Sequence, residues 1–224
     1  MGIFLIDSSS KKIEFGFAKN NVIAFRKELK PEFNADNLTY FIKDNFVKNK
    51  IEFNEIEYVG LSNGPGSFTG LRIGSAIAKG ICFALGSKLI AIPTLDVIAN
   101  KFKPESIRSP EFTCGRITSL IFSNTKTCEF YFAEYNYESG KLNRISDYGI
   151  DVPVNFINRE GYFIINEKSD RFIGNDFLNK LTDVSDLSNL DSLFELASEQ
   201  INKNIISEYR TSEPFYMKEF VPNI

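Results

Sequence analysis

The chain has 224 residues, 43% hydrophobic and 25% charged, a balance typical of a globular protein with one large domain or two small lobes. Its formal net charge of −3 lacks the basic surplus of a protein that grips a phosphate backbone. We therefore expect any contact with nucleic acid to be local or made through a partner. Histidine is absent, which excludes a Ser-His-Asp or Cys-His nucleophile and a histidine-ligated zinc or iron.

The cysteines predict a reducing compartment. Cys82, Cys114 and Cys128 form no C-x-x-C pair, and an odd, sparse count argues against a disulfide framework and against a metal cluster. The segment from Met1 to Asp7 is too short for a signal peptide, and we judge no apolar run long enough to span a membrane. These patterns predict a cytoplasmic protein with no membrane contact, no catalytic metal and no cofactor.

The first half of the chain alternates between strand and helix patterns. Short apolar runs separated by polar turns predict a meander over Ile3–Asp7, Ile13–Ala18 and Val22–Glu28. Apolar residues at helical spacing predict a helix over about Ala35–Lys48, and a buried strand is predicted over Ile56–Ser62.

A long helix is predicted next, from about Phe68 to Leu85. Ser67 or Thr69 is suited to cap its first turn, and Gly86 lies where a left-handed C-terminal residue is wanted. A strand over Lys88–Ile92 and a further helix with Thr94 as its N-cap complete a β-β-β-α-β-α-β-α order. This order predicts a mixed sheet with helices on its faces.

The second half repeats this theme in a degraded form. The proline-containing stretch Lys101–Glu111 is our candidate hinge, which divides the chain into a lobe of residues 1–104 and a lobe of residues 105–224. The strand and helix patterns beyond it cover Arg116–Phe122, Glu129–Tyr135, Leu142–Ser146, Tyr162–Ile165, Asn175–Leu181 and Leu190–Glu208.

The turn between the fourth strand and the long helix is the most informative segment. Glycine and proline together predict an unusual backbone path there, and free N–H groups at a helix start could bind an anion. The spacing matches neither a P-loop nor a dinucleotide fingerprint, so a purely structural turn and an anion site both stay open here. The motif residues are Gly64, Pro65, Gly66, Ser67, Thr69 and Arg72.

The helix that follows carries small residues in two stripes. Glycine inside a helix costs about 1 kcal/mol relative to alanine, so its repeated use indicates close approach of another backbone. We expect one stripe to face the protein's own sheet and the other to face a partner helix. Arg72 is expected to pair with a carboxylate or with carbonyls of the turn. The stripes are Gly70, Gly74 and Ala78 on one side and Ala76, Gly80 and Ala84 on the other.

Residues 64–74, GPGSFTGLRIG, resemble the signature of the TsaB (YeaZ) family, as do Ala78-Lys79-Gly80 and Ile92-Pro93-Thr94-Leu95. The opening strand that ends in Asp7 and the closing residues 213–217, EPFYM, agree with that family as well. Two departures stand out. Many members have a histidine-containing start to the first helix, where this chain has residues 34–36, NAD, and residues 147–192 match little beyond the Gly174-Asn175 turn.

This resemblance implies an α/β, two-lobed actin-like (ribonuclease H-like) fold with mixed sheets flanked by helices and a degraded second lobe. It also implies a non-catalytic subunit that docks onto the catalytic paralogue TsaD and activates it for N6-threonylcarbamoyladenosine (t6A) modification at tRNA position 37. The resemblance implies an ATPase subunit, TsaE, as a further partner, and contact with tRNA only through the complex. In isolation, it implies that the chain forms a homodimer. The helix faces expected at the interface are Leu38, Phe41, Ile42, Gly70, Leu71, Gly74, Ala78 and Ile81.

Two alternatives of another class stay open. An actin-like ATPase or kinase would need intact phosphate loops, and Asp7 is its one candidate carboxylate, followed by serines where the phosphate loop has glycine. A glycoprotease-type peptidase would need an acidic dyad or a serine–lysine pair, because histidine is absent. Hydrolysis of ATP abolished by Asp7→Ala would favour the first alternative.

Overall fold

The computed structural model describes residues 1–29, 37–102, 114–124, 129–166 and 181–218. By packing, the chain forms two units, Met1–Thr94 with Ser188–Phe215, and Leu95–Leu187 with Tyr216–Ile224. The predicted division into lobes of residues 1–104 and 105–224 stays a prediction. The packing shows in addition that residues 188–215, late in the chain, belong to the first unit.

Five strands build the sheet of the first unit, in the order β3-β2-β1-β4-β5. The first three strands are an antiparallel meander, whereas β4 and β5 join β1 in parallel because helices connect them. The strands are β1 (Gly2–Asp7), β2 (Ile13–Lys19), β3 (Val22–Leu29), β4 (Tyr58–Ser62) and β5 (Lys88–Ile92).

Helices cover both faces of this sheet. On one face, α1 (Leu38–Lys48) and α2 (Phe68–Leu85) bury their apolar sides against a phenylalanine-rich core. There Phe46 of α1 stacks on Phe53, with ring centroids 4.4 Å apart. The last helix, α4 (Asn189–Asn202), contacts β1, β2, β4 and β5 from within the same unit.

The sheet of the second unit repeats the order of the first. Its order β8-β7-β6-β10-β11 pairs an antiparallel meander with two parallel strands, as in the first unit. The short helix α3 (Thr94–Ala99) packs on one face through Leu95 and Ile98, and Phe156 packs on the other. The strands are β6 (Cys114–Asn124), β7 (Glu129–Glu138), β8 (Lys141–Arg144), β9 (Gly149–Asp151, paired with β7), β10 (Tyr162–Ile165) and β11 (Leu181–Asp183).

Several sequence-based element predictions differ from the structure. The last helix ends at Asn202, since Asn204 takes a left-handed φ of 55° and breaks the helical path that was predicted to reach Glu208. Leu181 begins a strand, whereas the rest of the predicted helix Asn175–Leu181 lies outside the described residues. Most of the hinge stretch, the Gly174-Asn175 turn and Cys128 also lie outside them.

One helix corrects the expectation about membrane-spanning length. The 18 residues of α2 have a mean hydropathy of 1.3, so this helix is long and apolar enough to cross a membrane by length and composition. The core helix of a globular protein passes the same test. In α2 the side that includes Leu71, Ala78 and Cys82 is buried against the sheet of its own unit.

Candidate functional site: a turn, its helix and the loop beneath

The Gly-Pro-Gly turn is fastened to the start of α3. Gly64 has a left-handed φ of 108°, and its Gly64–Pro65 peptide bond is cis. The Gly64 amide donates to Thr94 Oγ1 over 3.0 Å, and the Thr94 amide donates to the Gly64 carbonyl over 2.7 Å. The sequence had predicted that the Thr94 hydroxyl caps α3. In the structure this hydroxyl holds the turn instead.

Residues near the C-terminus close the other side of this turn. The Phe215 amide donates to the Asn63 carbonyl over 2.7 Å, and Asn63 Nδ2 donates to the Glu213 carbonyl over 3.0 Å. A Cβ on Gly64 would lie 2.6 Å from the Phe215 carbonyl oxygen, so glycine is required there both for its φ and for space. The turn is thus an enclosed structural element of the first unit.

The loop after β1 lies directly beneath α2. The Ser67 amide donates to the Ser9 carbonyl over 2.6 Å, and Ser8 Oγ donates to the Gly70 carbonyl over 2.8 Å. A Cβ on Gly70 would overlap the Ser8 carbonyl oxygen. The space above this loop, where a phosphate would need to approach the backbone, is occupied by the protein's own helix.

The start of α2 has the predicted cap. Ser67 Oγ accepts a hydrogen bond from the Gly70 amide over 3.2 Å, and Gly86 takes the left-handed conformation that ends the helix. These two residues set the helix length that the sequence predicted.

Asp7 anchors the loop from below. Its carboxylate accepts hydrogen bonds from the Ser9 amide and hydroxyl at 2.8 and 2.7 Å, and from Asn189 Nδ2 at 2.7 Å. Burial raises the pKa of Asp7. The hydrogen bonds from Ser9 lower this pKa, whereas the negative charge of Glu14, which is paired with Asp7 on β2, raises it further. Asn189 Oδ1 is buried and has no hydrogen-bond partner, which leaves an acceptor beside this carboxyl.

The structure packs the predicted interface residues of both helices against their own unit, and the interface itself stays a prediction. All eight of those residues point into the first unit, either buried or packed against its core, because an amphipathic helix turns its apolar side to its own sheet. They are Leu38, Phe41, Ile42, Gly70, Leu71, Gly74, Ala78 and Ile81.

The opposite sides of the helices are exposed. On α2, residues at 69, 72, 76, 80 and 83 follow one line along the helix by their spacing, and all are exposed. Phe83 is 78% exposed, and a Cβ on Gly80 would meet no atom within 4 Å. We call Thr69, Arg72, Ala76, Gly80 and Phe83 the outer face of α2.

The outer side of α1 also carries large exposed side chains. Tyr40 and Val47 are 65% and 66% exposed. The sequence analysis did not single out Tyr40 and Val47 on α1, nor Phe83 on α2. For α2 it had indicated the second small-residue stripe of Ala76, Gly80 and Ala84. Helical spacing measured from the buried residues would have found the three exposed side chains.

Arg72 does not pair as predicted. Its guanidinium carbon lies 3.9 Å from the centroid of the Phe68 ring, a cation–π contact. Among the described residues, no carboxylate forms an ion pair with Arg72. The outer face of α2 therefore presents an exposed cation that no described carboxylate neutralises, beside small and aromatic side chains.

The second unit holds its own buried polar cluster, which the sequence did not predict. Asp96 accepts hydrogen bonds from the hydroxyls of Tyr135 and Tyr148 at 2.6 and 2.8 Å. Burial raises the pKa of all three groups. The cluster ties α3 to the sheet, and in the described residues no three His, Cys, Asp or Glu side chains converge as a metal site would require.

Comparison with known proteins identifies the chain's relatives. A family model described as TsaD: tRNA N6-adenosine threonylcarbamoyltransferase matches residues 34–168, which is more than half of the chain. The chain is 32% identical over 99 residues to the tRNA threonylcarbamoyladenosine biosynthesis protein TsaB of Buchnera aphidicola subsp. Acyrthosiphon pisum (strain APS), over 44% of this chain and 45% of the relative. It is 24% identical over 142 residues to TsaB of Escherichia coli (strain K12), over 63% of this chain and 58% of that protein.

These alignments span about half the length of the curated relatives that the chain matches. Among solved structures, YeaZ from Pseudomonas aeruginosa superposes with a TM-score of 0.73 at 16% identity, over 96% of this chain and 99% of that one. That likeness and the repeated sheet order confirm the predicted class, an α/β protein with the two-lobed actin-like fold. The chain belongs to the family that the TsaD model describes, and within it to the TsaB (YeaZ) group.

Proposed function

We propose that the chain is a non-catalytic subunit that binds a TsaD-type threonylcarbamoyltransferase and activates it for t6A modification of tRNA. The observation that carries this proposal is the outer face of α2, a long helix whose other side is fully used by its own unit. The names of the relatives, biosynthesis proteins for threonylcarbamoyladenosine, support the same process.

The loop beneath α2 supports a non-catalytic role. An actin-like ATPase needs room for a phosphate at the loop after its first strand, whereas here α2 packs on Ser8 and Ser9. Asp7, the candidate catalytic carboxylate, is fully buried and bound by Ser9 and Asn189. These contacts disfavour the kinase alternative, and no arrangement in the described residues favours the peptidase.

The outer face suits contact with another helix. Ala76 and Gly80 let a second backbone approach closely, and Phe83 offers a large aromatic side chain of the kind that dominates interface energies. In the same proposal a TsaE-type ATPase joins the complex, tRNA is contacted through the complex, and the isolated chain forms a homodimer. A cytoplasmic location remains a prediction.

Reconstitution tests this function. The chain is mixed with the cognate TsaD-type and TsaE-type subunits, and t6A formation on tRNA is measured with and without it. We expect modification to depend on this chain, and Ala76→Arg to abolish binding and stimulation because its bulk keeps a partner helix away. The matched control is Val22→Arg on β3, where a side chain 62% exposed in the same unit lies away from α2.

Two results would defeat the proposal. One is modification at an unchanged rate when the chain is omitted. The other is ATP hydrolysis by the isolated chain that Asp7→Ala abolishes, which would restore the kinase alternative.

A further inference from the structure

The charges on α2 are unbalanced. The helix carries two cations, Arg72 and Lys79, and its sequence FTGLRIGSAIAKGICFAL contains no acidic residue. Lys79 is neutralised within the unit by Glu213, with its Nζ 3.3 Å from the carboxylate. Arg72 has no such partner among the described residues, and its one recorded contact is the Phe68 ring.

The Phe68 ring holds the Arg72 guanidinium without using its hydrogen-bond donors. A guanidinium that stacks on an aromatic ring keeps its N–H groups in the plane and free to bind a carboxylate with two parallel hydrogen bonds. Stacking also restricts the side chain before binding, so less conformational entropy is lost when a partner arrives. Arg72 is therefore prepared for an anion that the described residues of the first unit do not supply.

Arg72 lies at one end of the small-residue part of the outer face. It is four residues before Ala76, which is four residues before Gly80, so the three stand one above another on the helix. Because nothing lies within 4 Å of a Cβ on Gly80, a second backbone can come close here. A helix seated on this part of α2 would bring its side chains against the guanidinium.

We propose that Arg72 selects the occupant of this face: a partner helix that carries a carboxylate opposite it, in preference to a second copy of this chain. The proposal rests on the proposed function and names the chemistry by which the TsaD-type subunit would be recognised. Its ionic anchor is a bidentate Arg72–carboxylate pair at the edge of an otherwise apolar contact.

A second copy supplies no such carboxylate from α2. On α1, the one carboxylate is that of Asp44, and its Oδ2 is already paired with Lys48 at 2.7 Å. Self-association of α2 against α2 would desolvate a guanidinium with no acidic residue on the facing helix, which is costly. The same residue therefore strengthens the hetero-complex and weakens the competing homodimer.

The test compares two charge reversals. Arg72→Glu removes the anchor, and Lys27→Glu on β3 makes the same change in net charge at an exposed position away from α2. Dissociation constants for the cognate TsaD-type subunit are measured by calorimetry over a range of salt concentrations, and self-association is measured by sedimentation. We expect Arg72→Glu to weaken the hetero-complex by about tenfold or more and to flatten its salt dependence, whereas Lys27→Glu changes it by less than about twofold.

Self-association separates recognition from mere packing. We expect Arg72→Glu to leave the homodimer unweakened, because no carboxylate of the second copy is lost. Folding is checked by thermal unfolding; a carboxylate near a helix N-terminus is favourable, so the variant is expected to fold. Substituting lysine for single acidic residues of the subunit's helices is expected to restore binding of Arg72→Glu at one position.

Three results would overturn the inference: equal affinity of wild type and Arg72→Glu for the subunit, equal losses in hetero- and self-association, or rescue by no acidic position. Failure of the wild-type chain to bind the subunit would instead overturn the proposed function, and the inference with it. The two failures are therefore distinguishable, since the first three presuppose a wild-type complex.

Discussion

At the scale of single residues, Asp7 joins two parts of the first unit. The loop that supports α2 and the first residue of α4 both bind its carboxylate. Because burial raises the pKa of Asp7 above its ordinary 3.8, the folded state prefers the neutral carboxyl. Its contribution to stability is then greatest in acid and is lost as pH rises through the raised pKa.

We expect Asp7→Asn to be more stable than the wild type by about 1 kcal/mol at neutral pH, because the amide carries no buried charge and, once the Asn189 amide turns over to present Oδ1 in place of Nδ2, can donate to that oxygen. The advantage should shrink as pH falls toward 3.8, where the wild-type carboxyl is neutral too. Urea unfolding at a series of pH values measures it. Asp7→Ala, the control, should be destabilised throughout, and a pH-independent effect of asparagine would contradict the argument.

The cysteines provide a second prediction at this scale. Burial raises the pKa of the Cys82 thiol to about 11, so almost none of it is the reactive thiolate near neutral pH. Cys114 is exposed. We expect iodoacetamide to label Cys114 and spare Cys82 in the native protein at pH 8, as read by mass spectrometry. Labelling of Cys82 at a rate comparable to that of Cys114 would show that Cys82 is more accessible to solvent than its 1% exposure in the structure.

At the scale of elements, α2 has two differently used sides. Its inner glycines admit the loop after β1, and its outer glycine faces open space. Gly70→Ala would press a methyl group into the Ser8 carbonyl, whereas the Cβ added by Gly80→Ala meets nothing within 4 Å. The two substitutions are chemically identical and lie on one helix.

We expect Gly70→Ala to destabilise the protein by about 1–3 kcal/mol through overpacking. Gly80→Ala should stabilise it by up to about 1 kcal/mol through helix propensity. Thermal or urea unfolding of both variants measures the difference. Equal effects of the two substitutions would mean that the loop yields to the added methyl group and that the close packing is not required.

These elements also show what sequence reasoning could reach. Ser67 and Gly86 have side-chain and backbone preferences that mark helix ends, so the bounds of α2 were predicted correctly. The side of the helix that meets a partner stays a prediction. Gly70 and Gly74, which were expected to face the partner, pack on the loop after β1, because glycine admits a loop as closely as a helix. Three-residue strands such as β9 and β11 are fixed by pairing with distant strands rather than by their own residues.

At the scale of the whole molecule, the repeated sheet order could be predicted only for the first unit. The strands of the first unit show clear hydrophobic alternation and turn signals. The helix α4 belongs to the same unit, but it follows Thr94 by about 100 residues in the chain. No local pattern marks such a return. Leu190, Leu193 and Ala197 are buried in α4, which a period of 3.6 predicts, but the sheet they cover is not encoded nearby.

Removing α4 tests this arrangement. A chain that ends at Leu187 leaves one face of the first sheet uncovered, and we expect it to bind a hydrophobic dye such as ANS and to lose cooperative unfolding. A chain that ends at Lys218 keeps α4 and all described contacts of the first unit, so it should unfold like the full chain. Cooperative unfolding of the shorter chain at an unchanged temperature would contradict the packing of α4.

The return of the chain to its first unit also has a consequence for synthesis. Residues 1–94 leave the ribosome first, yet their sheet stays half covered until Asn189–Asn202 has been made. At about 5–20 residues per second, this wait lasts roughly 5–20 s. The unit begun later, Leu95–Leu187, has nearly all of its residues before the earlier one is complete. The apolar strand face that α4 will cover therefore stays exposed on the nascent chain during this interval, and we expect a chaperone to bind there.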